Sequence, residues 1–563
     1  MKYRTGGGGN SEVLEKSAKV TLFICGGLWL WAVGNLLWNY FFVAKDPSLF
    51  SLLLSLVVGS VIWFFLCKLF IQFAAIFVVT PFVWLFGKLT GAADERPAPN
   101  ALTSEEFLYL GQSTGTLAAK NHTRGLSPGQ PVFLSVPDCC QNLICFGGIG
   151  SGKTTRVITP ALIQLFKKKT GGLIFDIKGD FGRTVADVAD YAGRDFVTVG
   201  VADEDLGLNL IQGISPELAA SYLKSVFRLE GGGRGDDAFW VDNATLLCQN
   251  ALGLLKLAKK YDLYSLYRFV FFPGFRDEVF AAAETAAMEQ ARDKAYFDGC
   301  RDYYHEVFDK FDDKVKQSIK ATVSQVLSGF QNPALIDAFC SENKPQVKIE
   351  DCLAGQIVLV NLPIAEWGNP AKAVYTLVKL RFFSLVQQRA TRTDNFQDNP
   401  VFFMCDEYQD IISANKSGLS DLNFWDKSRS AKCIGIVSSQ SINSFRAAVG
   451  DRQTADTILQ NFRQKICFRT EDTETIRYFQ DLAGRSEVWR TSESKGDSRT
   501  GGWTGTDTAS KGESRSLQER NVVDSQLVRS LQENTGLCFL NLGGGSFDDV
   551  LVFTPSFDVL RKR

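Results

Sequence analysis

Two long apolar runs open the chain and set it apart from everything that follows. Residues 20–43, VTLFICGGLWLWAVGNLLWNYFFV, carry no charge and are long enough to cross a hydrocarbon layer of roughly 30 Å at about 1.5 Å per residue of helix. After the turn AKDPS (44–48) a second run, 49–86, is again largely apolar, with Lys68 as its one charge. As a single helix it would be about 57 Å long, so it reads either as one span continuing into a stem, broken near Pro81, or as two short spans hinged at Lys68. Lys2, Arg4, Lys16 and Lys19 precede the first span, and the excess of positive charge on cytoplasmic flanks puts that end in the cytoplasm. A second span returns the chain to the same side. A cleaved signal peptide does not fit, because no small-residue cleavage site separates the two runs. The expectation is a cytoplasmic tail over 1–19 and transmembrane helices with a stem over 20–88.

Beyond DERPAPN (94–100) the pattern changes to short apolar runs alternating with helical stretches, which is how a parallel α/β sheet reads. NLICFGG (142–148), GQIVLVNLP (355–363), PVFFMC (400–405) and KCIGIVSSQS (432–441) are the expected strands. Between 214 and 345 the segments SPELAASYLKSVF, DNATLLCQNALGLLKLAKKY, FRDEVFAAAETAAMEQARDKAYF and VKQSIKATVSQVLSGF combine helix formers with helical apolar spacing. RLEGGGRGDD (228–237) between them is expected as a loop. So is the Ser/Thr/Gly-rich stretch 490–516, which has too little apolar content to pack.

The first expected strand runs into FGGIGSGKTT (146–155), with Gly147, four residues, then Gly152-Lys153-Thr154. That is the spacing of a phosphate-binding loop. The backbone N–H groups of such a turn and of the helix it opens must face the phosphates. Gly147, Gly148, Gly150, Ser151, Gly152, Lys153, Thr154 and Thr155 are therefore the expected nucleotide-binding residues, with ATP and Mg²⁺ as cofactors. Lys153 would reach the β/γ-phosphates and Thr154 would ligate Mg²⁺. The other half of such a site is an apolar strand ending in acid, and PVFFMCDEYQD (400–410) supplies one. Asp406 is expected to hold the Mg²⁺ shell and Glu407 to polarise the attacking water. Gln440, at the end of another apolar run, is placed like the polar sensor that reads the γ-phosphate in related motors.

Composition narrows little beyond this. A formal charge of −1 offers no global attraction for a polyanion, so nucleic-acid contact would have to rest on local basic patches or on assembly into a ring. Thirteen cysteines without a C-x-x-C pair and two distant histidines, His122 and His305, read as reduced structural thiols of a cytosolic body rather than as a metal site or disulfide framework.

NLICFGGIGSGKTT, GLIFDIKGDFGRTV (172–185), DAFWVDNATLLCQNALGLL (237–255), VFFMCDEYQDI and GIVSSQSINSF (435–445), in this order behind a membrane hairpin, resemble the type IV coupling proteins of the TraG/TraD family. The resemblance covers residues 130–555. It is sharpest at Asp176, Lys178, Gly179 and Asp180, at Phe239-Trp240 and at Gln440-Ser441. It implies an inner-membrane, multi-pass ATPase with a RecA-like nucleotide domain (97–213 and 346–563), interrupted by an all-helical domain (214–345). It also implies a homo-hexamer that takes single-stranded DNA, without sequence preference, and its bound relaxase into a type IV secretion channel. The inner-membrane components of that channel would be partners. Tyr408-Gln409-Asp410 after the acid pair, and the stretch 490–516, depart from the family's usual form.

Ring motors complete each site with an arginine from the neighbouring subunit, for which Arg429, Arg463 and Arg469 are the candidates. RSAK (429–432), KSGLS (416–420) and GGGRGDD (231–237) are possible DNA-facing loops. Two other functions stay open on the sequence: a receptor that delivers protein effectors, and a cell-division-type DNA translocase. The helical insertion argues against the second.

Overall fold

The computed structural model describes residues 106–168, 170–229, 237–389, 399–415, 418–498 and 508–554. The expected tail and membrane helices of 1–88, the start of the expected nucleotide domain (97–105) and most of the GGGRGDD loop lie outside these residues. Among the described residues no helix is long and apolar enough to cross a membrane.

Among the described residues thirteen strands are formed: β1 (Leu108–Ser113), β2 (Pro131–Leu134), β3 (Leu143–Phe146), β4 (Gly171–Asp176), β5 (Val197–Gly200), β6 (Ile357–Asn361), β7 (Val401–Cys405), β8 (Cys433–Ser439), β9 (Gln464–Cys467), β10 (Arg485–Ser498), β11 (Thr508–Asn521), β12 (Thr535–Leu542) and β13 (Gly545–Val552). Eleven make one sheet in the order β2-β1-β13-β12-β9-β3-β8-β7-β4-β6-β5. From β9 to β5 every neighbouring pair is parallel, and from β9 to β2 every pair is antiparallel.

The central strands read as uninterrupted apolar runs because both of their faces are covered. All residues of β3, β4, β7 and β8 are buried, and side chains alternate between the two faces. Cys145, Ile174, Met404 and Ile436 join the core beneath helices 159–167 and 181–192. Ile144, Phe175, Phe403 and Val437 join the opposite core, which continues into the helical part.

Between β5 and β6 the described residues form seven α-helices: 216–229, 237–257, 263–271, 273–287, 291–302, 313–327 and 333–339. They pack through residues such as Leu223, Val226, Leu247, Leu252, Phe269, Val279 and Leu327, all buried. The helical apolar spacing of 275–297 is realised as two helices, because the chain leaves helical geometry at Gln290. The helices at 263–271 and 333–339 start on Asp262 and Asn332, whose side chains accept the N–H of Ser265 and Ala334.

The stretch 490–516, expected as a loop, is different. Up to Ser498 and from Thr508 it belongs to a two-stranded antiparallel ribbon, β10 paired with β11 from Arg485↔Asn521 to Ser498↔Thr508. Backbone pairing specifies it, with little help from apolar side chains.

Candidate nucleotide site

The turn between β3 and the next helix is shaped by its glycines. Gly150 and Gly152 have φ of +70° and +95°, conformations that side chains disfavour. A Cβ on Gly147 would stand 2.5 Å from Ser151 Oγ and 2.8 Å from Phe468 Cβ, so the turn closes only around glycine. Gly148 N–H is held by the Arg469 carbonyl at 3.1 Å. The Lys153 ammonium reaches back over the turn to the carbonyls of Gly147 (2.7 Å) and Gly148 (3.3 Å). Ile149 at the tip is 92% exposed.

The helix that leaves the turn begins wide, with Thr159 N–H bonded to the Thr154 carbonyl five residues back. Pro160 cannot donate to the carbonyl four residues earlier, and a local π-type turn takes up the difference.

Parallel register brings the acid strand to the same edge. Phe146 pairs with Ser439 and Cys405 pairs with Val437, so β3, β8 and β7 end together, where ligands of parallel sheets bind. Thr154 Oγ1 donates to Asp406 Oδ2 at 2.7 Å. The other oxygen of Asp406 accepts from the Ser438 hydroxyl and, at 3.1 Å, from the Glu407 N–H. Glu407 itself has a left-handed backbone, φ +55°, which turns the chain sharply at the strand end. Gln440, exposed, follows directly on Ser439 at this edge.

A second turn closes the site from β4. Asp176 accepts the N–H groups of Gly179 (2.7 Å) and Gly182 (2.8 Å); burial pushes its pKa up, while those N–H groups pull it back. From this turn the Lys178 ammonium reaches Glu407 Oε1 at 2.6 Å. Partial burial works against its charge, but the hydrogen bond to Glu407 and the charges of Asp406, Glu407 and Asp180 outweigh that and hold it above the ordinary lysine range. Gln409 donates to Glu407 Oε2 at 2.7 Å. Behind the acid pair, Tyr408 is buried and donates to Asp421, which also pairs with the fully buried Lys379 at 2.6 Å. Burial lowers the Lys379 pKa, against the attraction of Asp421.

The structure thus brings together Gly147, Gly148, Gly150, Ser151, Gly152, Lys153, Thr154, Thr155, Asp406, Glu407 and Gln440. It does not bring Arg429 to them. Arg429 lies in the turn before β8, and Arg463, whose N–H bonds Gln141 before β3, is at that same far end of the strands. Of the three candidates only Arg469 is beside the glycine turn, its carbonyl accepting the Gly148 N–H. Lys178, Gln409 and Ser438 join the site through the fold; in the sequence the Asp-x-Lys-Gly-Asp strand end and the Tyr-Gln-Asp after the acid pair are the visible signals of the first two.

The residues fit a Mg²⁺-nucleotide. The hydroxyl of Thr154 and the carboxylate of Asp406 meet at the shared edge of the sheet, an ammonium lies over a glycine turn, and Ser151 Oγ, in that turn, is buried without a partner among the described residues. Among the described residues there is no cluster of three or more His, Cys, Asp or Glu suited to a metal.

Residues 400–533, from the start of β7 to beyond the ribbon, match a family described as the TraM recognition site of TraD and TraG. These findings bear out the resemblance to the TraG/TraD coupling proteins. No curated protein matches the chain. Among solved structures, the bacterial conjugative coupling protein TrwBdeltaN70 in an unbound form is similar with a TM-score of 0.56 and 14% identity, over 79% of this chain and 92% of that one. TrwB in complex with the non-hydrolysable ATP analogue ADPNP gives 0.54 and 15%, over 80% and 94%. TrwB in complex with ADP and Mg²⁺ gives 0.55 and 14%, over 80% and 94%. At these identities the likeness is one of fold: a mixed α/β architecture around a large, mainly parallel sheet.

Proposed function

We propose that the chain is the ATP-hydrolysing coupling protein of a conjugation or type IV secretion apparatus. The 2.7 Å contact between Thr154, which opens the helix after β3, and Asp406, just past the end of β7, carries the nucleotide half of this reading. The match of 400–533 to the TraM recognition site of TraD and TraG, and the likeness to TrwB solved with ADPNP and with ADP and Mg²⁺, support the transfer half.

In this reading a RecA-like domain holds ATP on Gly147, Gly148, Gly150, Ser151, Gly152, Lys153, Thr154 and Thr155. Thr154 and Asp406 would hold Mg²⁺, which when bound supplies positive charge against the phosphate oxygens. Lys153 adds its own charge there, Glu407 orients a water in line with the γ-phosphorus, and Gln440 reads whether that phosphate is present. The bond from the water oxygen to phosphorus forms as the bridge to ADP breaks, and the proton departs with inorganic phosphate. Most of the catalysis is positioning and charge.

The substrate is single-stranded DNA with its relaxase, and 400–533 is where a relaxosome-associated partner would dock. The hairpin of 20–88 anchors the protein in the bacterial inner membrane as a homo-hexamer beside the channel's inner-membrane components. The test is ATP hydrolysis by the full chain in detergent, with and without single-stranded DNA, at two salt concentrations and several protein concentrations. The expected result is stimulation by DNA that falls with salt and rises steeply with protein concentration. Hydrolysis indifferent to DNA throughout would instead favour a receptor for protein effectors.

A further inference from the structure

Both oxygens of the Glu407 carboxylate are taken by side chains that the phosphate-binding loop and the acid pair do not include. Lys178 reaches Oε1 at 2.6 Å and Gln409 donates to Oε2 at 2.7 Å. The lysine comes from a turn built for it. Asp176 fastens that turn through Gly179 and Gly182 N–H. Gly179, at φ +82°, leaves room for Pro363, whose Cγ would lie 2.5 Å from a Cβ. The Tyr375 hydroxyl donates to the Asp176 carbonyl at 2.6 Å and accepts the Leu362 N–H at 2.8 Å. The turn is therefore tied to β4, to the end of β6 and to helix 364–388, and its aim at Glu407 is not an accident of a loose loop. The Lys178 side chain is 49% exposed, that of Glu407 only 6%; it is the acid that is enclosed.

We propose that Lys178, assisted by Gln409, is the positioning residue for Glu407 in ATP hydrolysis. This rests on reading Glu407 as the group that orients the attacking water. A carboxylate has about four lone-pair directions; Lys178 and Gln409 occupy two, fixing the plane of the group and leaving the others toward the phosphates. With two of its lone-pair directions held, the carboxylate suits orienting the water, and a loose phosphoryl-transfer transition state needs little removal of the water's proton beforehand. The arrangement also sets the left-handed Glu407, a strained backbone site, in one side-chain orientation.

The test compares Lys178→Met, Lys178→Arg and Gln409→Leu in the full chain by kcat and KM for ATP, with affinity measured by a fluorescent ATP analogue. Lys178→Met should lower kcat by at least about tenfold while KM and affinity stay within about threefold, and Lys178→Arg should recover most of the loss. In a Glu407→Gln background, Lys178→Met should change the residual rate by less than about twofold, because the group it positions is gone. A kcat for Lys178→Met near or above wild type, or an undiminished cost in the Glu407→Gln background, would overturn the proposal. Lys153→Ala and Glu407→Gln are the controls: if both hydrolyse ATP like wild type, the nucleotide reading itself falls. If both are inactive while Lys178→Met is not, only the positioning role falls.

Discussion

At the scale of single residues the chain places charge inside the protein with different degrees of compensation, and pH separates the cases. Lys379 is buried against Asp421. Lys465, on β9, is buried too, but its described partner is only the Phe462 carbonyl. Burial, aided by the nearby Arg463 charge, pushes its pKa down from 10.5 to about 8. A lysine whose pKa is lowered on folding binds its proton more weakly folded than unfolded. Stability therefore rises with pH between about 8 and 10.5, and below 8 the fold bears the full penalty, on the order of 3 kcal/mol. Lys465→Met removes that penalty and leaves one carbonyl unpaired, a loss of about 1 kcal/mol. The variant should accordingly gain about 2 kcal/mol at pH 7, with the advantage shrinking toward pH 10 in unfolding midpoints taken at both values. An advantage independent of pH would show that the ammonium carries no penalty. The site was legible at this scale wherever chemistry is local in sequence: Gly147 to Thr155, and Asp406-Glu407 closing an apolar run. Lys178 and Glu407, 229 positions apart, meet only because β4 lies beside β7, and no spacing within either segment reports that neighbour.

At the scale of elements, the same distinction separates what composition reveals from what pairing creates. β3, β6, β7 and β8 were readable because burial on both faces demands continuous apolar runs. The wide turn at Thr154–Ile158 follows from Pro160, a legible cause whose consequence depends on the helix around it. β10 and β11 carry no such pattern. Of their few apolar residues, Val488, Trp489 and Leu517 are exposed, Trp489 at 67%, and a ribbon rich in Ser, Gly and charge looks like a loop until its backbone pairs. A two-stranded ribbon contributes little stability by itself. Replacing residues 490–516 with Asn-Gly, so that Trp489 and Leu517 are joined by a two-residue turn that suits a hairpin, should leave the thermal midpoint within about 3 °C of wild type. A fall well beyond that would mean that the ribbon packs on, and holds together, more of the molecule than its own strands.

For the whole molecule, the polarity of the parallel sheet decides what one chain can do alone. The phosphate-binding turn, Asp406, Glu407 and Gln440 lie where the strands end; Arg429 and Arg463 lie where they begin. β8 separates these edges by seven residues, about 23 Å of extended chain, so Arg429 is out of reach of its own chain's phosphates. In a head-to-tail ring one subunit's far edge can face the next one's nucleotide site, and such an arginine then completes the site in trans. Arg429→Ala subunits should bind the fluorescent ATP analogue normally yet hydrolyse ATP poorly. Lys153→Ala subunits should fail at their own site while still offering Arg429. Mixed in equal amounts, the two inactive proteins pair a sound nucleotide site with a sound arginine at about a quarter of interfaces, so hydrolysis should return to a comparable fraction of wild type. If Arg429→Ala alone hydrolyses ATP at the wild-type rate, Arg429 has no such role and the choice passes to Arg463 and Arg469. If both variants are inactive and mixing restores nothing, Arg429 does not complete a neighbour's site, and its loss acts through the fold rather than at the phosphates.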